Sequence, residues 1–327
     1  MSYTREVLSR ARQRLEADNR KKEAEAAENL AKAYARLPRL RDIDRELRRT
    51  SASVVAACFD QGRDPAQAVR QIRARNRELQ AERQWILDDA EISEDSLDNS
   101  PLCNLCGGSG YKDGRMCECL HELCRQEQRH ALSPLLPTGK ERFENFSTDL
   151  YPDRYYPSIG TTPRKLMQRN LNYCRKYAAD FQPGAGSLLF SGATGLGKTF
   201  LSACIARQVT DRGFGVVYAS AGKLFSDFEG VKFDRLDPGA IEGYMACDLL
   251  ILDDLGTEMT TPLVISSLYQ LVNSRILERK ATLISTNLAF KDLRERYSDR
   301  TFSRLLSLYT VCELTGGDVR LKRKTAR

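Results

Sequence analysis

A chain of 327 residues, 41% apolar and 29% charged, is long enough for a full-sized core plus a smaller accessory region. Its formal net charge of +7 is a mild excess that permits contact with nucleic acid without requiring it. No apolar run reaches the length of a membrane span, and the opening "MSYTREVLSRARQRLEADNRKKEAEAAENL" carries no apolar h-region. No membrane partner is expected, and the chain is read as cytoplasmic, with its 10 cysteines reduced rather than paired.

Residues 1–90 read as a helical, coiled-coil-like, partner-binding region. The first run is rich in Ala, Glu, Lys, Arg and Leu, and Leu37-Pro38 breaks it. A second run sets Leu40, Ile43 and Leu47 at helical spacing and continues to Val54, Val55 and Phe59. "DQGRDP" is a turn, and a third run carries Val69, Ile72, Leu79, Trp85 and Ile86. So few large apolar residues make a thin core, so a self-contained bundle and a docking surface are both open.

Residues 91–135 read as a linker and a small metal module. "DDAEISEDSLDNSP" is acidic and polar, the composition of a linker. Then Cys103, Cys106, Cys117 and Cys119 form C-x2-C-x10-C-x-C. Two close thiol pairs joined by a Gly-rich hairpin suit a structural tetrahedral Zn2+ site, with Gly107, Gly108 and Gly110 permitting the turn. A redox pair or free thiols are the competing readings, and His121 or Cys124 could replace Cys119. "CNLCGGSG" also resembles one half-repeat of the chaperone zinc domain, but one unit alone does not imply that function. Cys58, Cys174, Cys204, Cys247 and Cys312 lie among apolar neighbours and read as small buried hydrophobes.

Residues 136–327 read as an α/β domain. The apolar runs "SLLFSG", "VVYAS", "DLLILDD" and "ATLIST" alternate with helical segments, which predicts buried parallel strands. After the first of these, Gly192-Ala193-Thr194-Gly195-Leu196-Gly197-Lys198-Thr199 is a P-loop. Its glycines let backbone N–H groups face phosphate oxygens, and the following helix offers its positive end. Lys198 is expected on the β- and γ-phosphates of ATP, and the Thr199 hydroxyl on Mg2+. The strand "LLILDD" delivers Asp253 to its tip to hold Mg2+ through water. Asp254, expected on the other side of that strand, suits a base or water-orienting group, with Glu258 as the alternative; a cap of the next turn is the bland reading of Asp254. "LISTNL" ends a strand with Thr286 and Asn287, "YSDRTFSRLL" sets Arg300 and Arg304 one helical turn apart, and Arg320 follows in "GGDVRLKRK".

The combination of "FENF", "GATGLGKT", "LLILDDLGTE", "STNL" and "RTFSRLL" resembles the AAA+ ATPases, specifically the bacterial replicative helicase loaders and their IstB-like relatives among transposition helper ATPases. It covers roughly residues 140–320. The resemblance implies a P-loop AAA+ domain with Asn287 as sensor 1, Arg304 as an arginine finger acting on a neighbouring subunit (Arg300 less so), and Arg320 as sensor 2. It implies self-association through ATPase interfaces. Many AAA+ proteins carry Glu where this chain has Asp254, a departure that suits a slow switch. It further implies a single-stranded DNA contact in "KLFSDFEGVKFDRLDPGAIEGYMA", with Lys232 and Phe233 as phosphate contact and stacking ring; a core aromatic is the competing reading for Phe233. Loader-like proteins also have helical and zinc-bearing N-terminal parts that dock the helicase. The expected function is therefore an ATP-hydrolysing DNA replication protein that loads the replicative helicase onto single-stranded DNA. An insertion-sequence helper ATPase and a nucleotide-gated scaffold with little hydrolysis are the alternatives.

Overall fold

The computed structural model of the chain describes residues 3–59, 65–132 and 141–320, without the side chains of residues 51–59, 65, 66 and 68. The "DQGRDP" turn lies outside the described residues except for its last position, as do the side chains of Val54, Val55, Cys58 and Phe59. Among the described residues, no helix is long and apolar enough to cross a membrane. The chain divides into two compact units, residues 13–119 and residues 1–12 with 120–327.

The smaller unit holds most of α1 (Arg5–Arg36), then α2 (Pro38–Phe59) and α3 (Pro65–Asp89). Both later helices start on proline, whose missing N–H costs nothing in a first turn. Their core is thin, as expected: Ala33, Leu40, Ile43, Leu79, Ile86, Leu87 and Leu97, with Leu47 partly buried against it. Trp85 departs from expectation, being 66% exposed. It lies six residues after Leu79, about 120° around the helix from the buried stripe, whereas Ile86 and Leu87 return to it.

The acidic stretch after α3 is no free linker. Leu97 is buried and Ile92 packs on the helical core, through a short 3-10 turn at Glu94–Leu97. Lys22 meets Asp98 at 3.1 Å, the Asn29 amide donates to the Ser96 carbonyl at 3.1 Å, and Arg83 bridges Asp44 and Glu94 at 2.8 and 2.7 Å. Two apolar anchors within a polar stretch suffice to pin it down. Next comes a two-residue hairpin, β1 (Tyr111–Lys112) and β2 (Arg115–Met116), turned by Asp113 and Gly114 at φ 51° and 73°. That is the conformation of a two-residue hairpin loop, which Asp-Gly favours.

The larger unit contains α4 (Glu118–Leu132, from Leu120), α5 (Pro163–Asp180), α6 (Lys198–Asp211), α7 (Ala221–Lys232), α8 (Gly239–Ala246), α9 (Pro262–Leu277), α10 (Phe290–Tyr297) and α11 (Asp299–Leu308). They cover a sheet of β3 (Ser187–Ser191), β4 (Val216–Ser220), β5 (Leu249–Leu255), β6 (Ala281–Thr286) and β7 (Tyr309–Glu313) in the order β4-β5-β6-β3-β7, parallel throughout. The first four are the runs read from the sequence. β7, "YTVCE", escaped that reading because polar residues break its apolar pattern. Side chains alternate across the pleat, so each strand feeds two cores. Leu188, Phe190, Ile251 and Leu283 pack on one face with Leu201 and Ile205 of α6. Leu189, Leu250, Leu252 and Ile284 pack on the other with Leu224 of α7 and Leu268 and Leu271 of α9. Cys174, Cys204, Cys247 and Cys312 are buried in these cores. The result is a three-layer α/β P-loop fold of the AAA+ type.

Candidate nucleotide and metal sites

The P-loop joins β3 to α6 at the carboxyl edge of the sheet, where open α/β sheets place their ligands. Gly192 sits at φ 152°, and a Cβ there would come within 2.3 Å of the Leu314 carbonyl after β7, so only glycine fits. Gly197, at φ 90°, opens α6 with no side-chain cap, so the first-turn N–H groups keep free valence for an anion. Lys198 is buried and donates from Nζ to the carbonyls of Gly192 and Ala193 at 2.6 and 2.9 Å. Burial lowers its pKa, while the Asp254 and Asp253 carboxylates act against that shift.

Asp253 is held at its strand tip by three hydroxyls: Tyr218 of β4 donates at 2.8 Å, Ser285 of β6 at 2.5 Å, and Thr199 at 3.4 Å. Burial, and then the Asp253 charge, push the Tyr218 pKa up, so that phenol remains a donor. The β5–β6 register shifts between Leu252 and Leu255, and Asp254 takes a left-handed φ of 57°, with its N–H donating to Ser285 Oγ at 2.9 Å. The bulge turns Asp254 onto the same cavity as Lys198. Burial and the Asp253 charge raise the Asp254 pKa, against the pull of Lys198 and Arg320.

That cavity, of about 350 Å3, is lined by Lys198, Thr199, Asp254, Asn287 and Arg320. An apolar wall is made by Phe146, which stacks on Tyr151 at 6.0 Å and tilts against Phe200 at 5.8 Å. The Tyr151 hydroxyl donates to the P-loop carbonyl of Leu196 at 2.8 Å, tying this wall to the loop. An apolar slot beside an anion cradle, with a cation and carboxylates at its end, fits a nucleoside triphosphate with Mg2+. Of the residues singled out in the sequence, Asn287 and Arg320 come to the cavity. Thr286 instead donates to the Leu255 carbonyl at 2.7 Å, a link within the sheet. Glu258 is absent from the lining: it accepts from the Tyr297 hydroxyl and from Gly256 N–H, the latter at 3.0 Å. Arg304 also lies outside, donating to Asn273 Oδ1 at 3.1 Å with its guanidinium 4.8 Å above the Tyr269 ring. Arg300 is exposed. Tyr218, Ser285 and Tyr151 went unnoticed in the sequence.

Phe233 is 53% exposed, which removes the core-aromatic reading, and Arg235 stacks 5.3 Å over its ring beside exposed Lys232.

In the smaller unit, Cys103, Cys106, Cys117 and Cys119 bring their Sγ atoms within 4.8 Å of one another. The pairs Cys103–Cys117 and Cys106–Cys119 lie at 3.8 and 3.5 Å. Zn–S bonds near 2.3 Å give a tetrahedron with edges of about 3.8 Å, so the four thiols fit zinc. His121 and Cys124 are not in the group. The N–H groups of Cys106 and Leu105 draw the Cys103 thiol down to about 7, while burial and thiol neighbours push Cys119 up. Four such neighbours cannot all ionise without a cation among them. Asn19 of α1 braces the knuckle, donating to the Gly108 carbonyl at 3.3 Å and accepting from Leu102 N–H at 3.0 Å.

Residues 162–326 match the family model described as IstB-like ATP binding protein. A protein described as ATP-binding, in an insertion sequence of Mycobacterium tuberculosis, is 30% identical over 103 residues, 32% of this chain and 41% of that protein. The replicative helicase loader DnaC of Escherichia coli K12 is 24% identical over 140 residues, 41% of this chain and 56% of the loader. The chain thus spans about half the length of these relatives. Among solved structures, that of the DnaC helicase loader superposes with a TM-score of 0.44 at 20% identity, covering 53% of this chain and 98% of that one.

Proposed function

The chain belongs to the IstB-like ATP binding protein family, and from that premise we propose that it is an ATP-hydrolysing protein of DNA replication that loads the replicative helicase onto single-stranded DNA. The observation that supports the chemistry is the convergence of Lys198, Thr199, Asp254, Asn287 and Arg320 on one cavity. On this reading Lys198 exchanges the Gly192 and Ala193 carbonyls for the β- and γ-phosphates of ATP. Thr199 and Asp253 would hold Mg2+, which when bound neutralises charge on those phosphates. Asp254 takes a proton from, or orients, the attacking water, and Asn287 fixes that water's position. Arg320 meets the γ-phosphate from the C-terminal segment. Arg304 belongs to a neighbouring subunit's site, in keeping with its place outside its own cavity. Lys232 and exposed Phe233 engage single-stranded DNA.

The helical region of residues 1–90 and the Zn2+ module within residues 91–135 grip the helicase, and residues 136–327 form the ATPase domain. The cysteine knuckle shapes the partner-binding part and takes no role in chemistry, since four thiolates leave no position for a substrate.

A second reading keeps the ATPase and changes the partner to a transposase; the insertion-sequence relative favours it. Tagged full-length protein purified from its native host decides between them by which partner co-purifies. Turnover of ATP with and without single-stranded DNA tests the enzyme itself, and binding without turnover in either condition would leave only a nucleotide-gated scaffold.

A further inference from the structure

Arg39, Arg41, Arg45, Arg48 and Arg49 fall within the first four turns of α2. Arg39 is held by Glu82 at 2.7 and 2.8 Å. The other four stand at i, i+4, i+7 and i+8, so they share one face, and all four are exposed, Arg45 also lying 3.8 Å from the Asp42 carboxylate. With Tyr34 of α1 they line a cleft of about 440 Å3. The Tyr34 hydroxyl is fixed there, accepting from Arg48 at 3.1 Å and donating to Asp44 at 2.8 Å. Asp44 is further engaged by Arg83 at 2.8 Å, and no carboxylate is among the cleft's lining residues.

We propose that this arginine cleft of the N-terminal helices binds the phosphodiester backbone of a single nucleic acid strand. The proposal deepens the function argued above and rests on its premise that the protein works on nucleic acid. Helical rise sets Arg41, Arg45 and Arg49 about 6 Å apart along the axis, a row of regularly spaced cations that suits a polymer of regularly spaced anions. Guanidinium forks grip phosphate oxygens two at a time, which ammonium groups do not. Tyr34, its ring packed partly on the helical core, lines the row and holds Arg48 in place through its hydroxyl. The charge pattern agrees: residues 65–77 contain Arg70, Arg73, Arg75 and Arg77 and no acidic residue, whereas residues 88–98 contain only acidic charges. Elsewhere in the unit the charges intersperse, and Arg75 itself pairs with Glu46 and Glu78 at 3.0 and 3.4 Å.

The test is anisotropy of a dye-labelled oligothymidylate with full-length protein over a salt series. Each phosphate contact on a single strand contributes about 0.7 to the log–log salt slope, so R41Q/R45Q should flatten it by about 1.4 and weaken low-salt binding by about tenfold or more. R41K/R45K keeps both charges and should keep the slope. ATP turnover without DNA should be unchanged in both variants. If the wild type binds no strand, the nucleic-acid premise falls and this proposal with it. If the wild type binds and R41Q/R45Q matches it in slope and affinity, only the cleft is refuted. Equal loss in the lysine variant, or lost helicase capture with an intact salt slope, would also overturn the proposal. Tighter, equally arginine-dependent binding of a duplex of the same length would overturn its choice of a single strand.

Discussion

Replacing Lys198 by Ala removes the one ammonium in the cavity that is both buried and aimed at the P-loop carbonyls. Hydrogen bonds to charged groups contribute about 1.5–3 kcal/mol each, so two phosphate contacts would supply about 3–6 kcal/mol. The free protein already satisfies this ammonium with two carbonyls at 2.6 and 2.9 Å, and those contacts must be given up when phosphate arrives. Burial, which lowers the Lys198 pKa, adds to what is recovered when the charge meets an anion. A net loss near 3 kcal/mol follows, a fall in ATP affinity of about 100-fold. Calorimetric titration of ATP with Mg2+ into wild type and variant measures it directly. Thermal melting of both proteins without nucleotide checks that the fold is retained. An affinity within about threefold of wild type, in a folded variant, would refute the placement of Lys198 on the phosphates.

Asp254→Asn keeps size and loses charge, so ATP should still bind while turnover falls by roughly 100-fold or more; wild-type turnover would remove Asp254 from the chemistry. The same variant has a stability signature. Burial raises the Asp254 pKa, so the folded state binds more protons, and wild-type stability falls as pH rises from the ordinary aspartate value of 3.8 through the raised one. Asp254→Asn without nucleotide should therefore melt above wild type at neutral pH, with the gap closing below pH 3.8; a constant gap would contradict that cause. Arg304→Ala should leave ATP affinity intact and abolish stimulated turnover, and mixing it with Asp254→Asn subunits should restore part of the activity; failure to restore any while both assemble would end the trans assignment. The cysteine group should yield one Zn2+ per chain by metal analysis, released by acid or strong chelators because its thiolates must be deprotonated. C103S/C106S should lose partner capture and keep ATP affinity, and full partner capture by that zinc-free variant would detach the metal from docking.

The P-loop was legible because phosphate binding demands glycine, lysine and threonine at fixed offsets within one stretch of chain. Asp253 was legible because an apolar strand ends on it. Its partners were not: Tyr218 and Ser285 lie 35 and 32 residues away in sequence and meet Asp253 only through the parallel register of β4, β5 and β6. The bulge at Asp254 was not legible, since a single extra residue has no compositional mark of its own. The four-cysteine group was legible by spacing, but the brace from Asn19 was not, since Asn19 sits 83 residues before Leu102 on a helix that reads only as rich in Ala, Glu, Lys, Arg and Leu. Trp85 shows the opposite failure, a large apolar residue counted toward a core that helical geometry turns it away from.

The bulge also bears on why the shorter carboxylate suffices. Glu258 has the longer reach, yet its oxygens are taken by Tyr297 and Gly256 N–H, and freeing it would leave Gly256 without that acceptor. Asp254 lacks a methylene, and the left-handed backbone at φ 57° brings it to the cavity instead, anchored through its own N–H on Ser285. Ser285 in turn donates to Asp253, so one hydroxyl ties both acids to the tip of β6, next to Asn287. A proposed metal ligand and a proposed water-orienting group thus share a support that neither can shift without disturbing the other. Such a coupled pair favours one fixed geometry of water and phosphate over rapid rearrangement. With Arg304 engaged on Asn273 and Tyr269 outside its own cavity, the proposed mechanism has one chain hold ATP while the hydrolytic step waits for a neighbour. On the proposed function that division suits a loading switch, whose bound state would persist until assembly brings Arg304 of a neighbour.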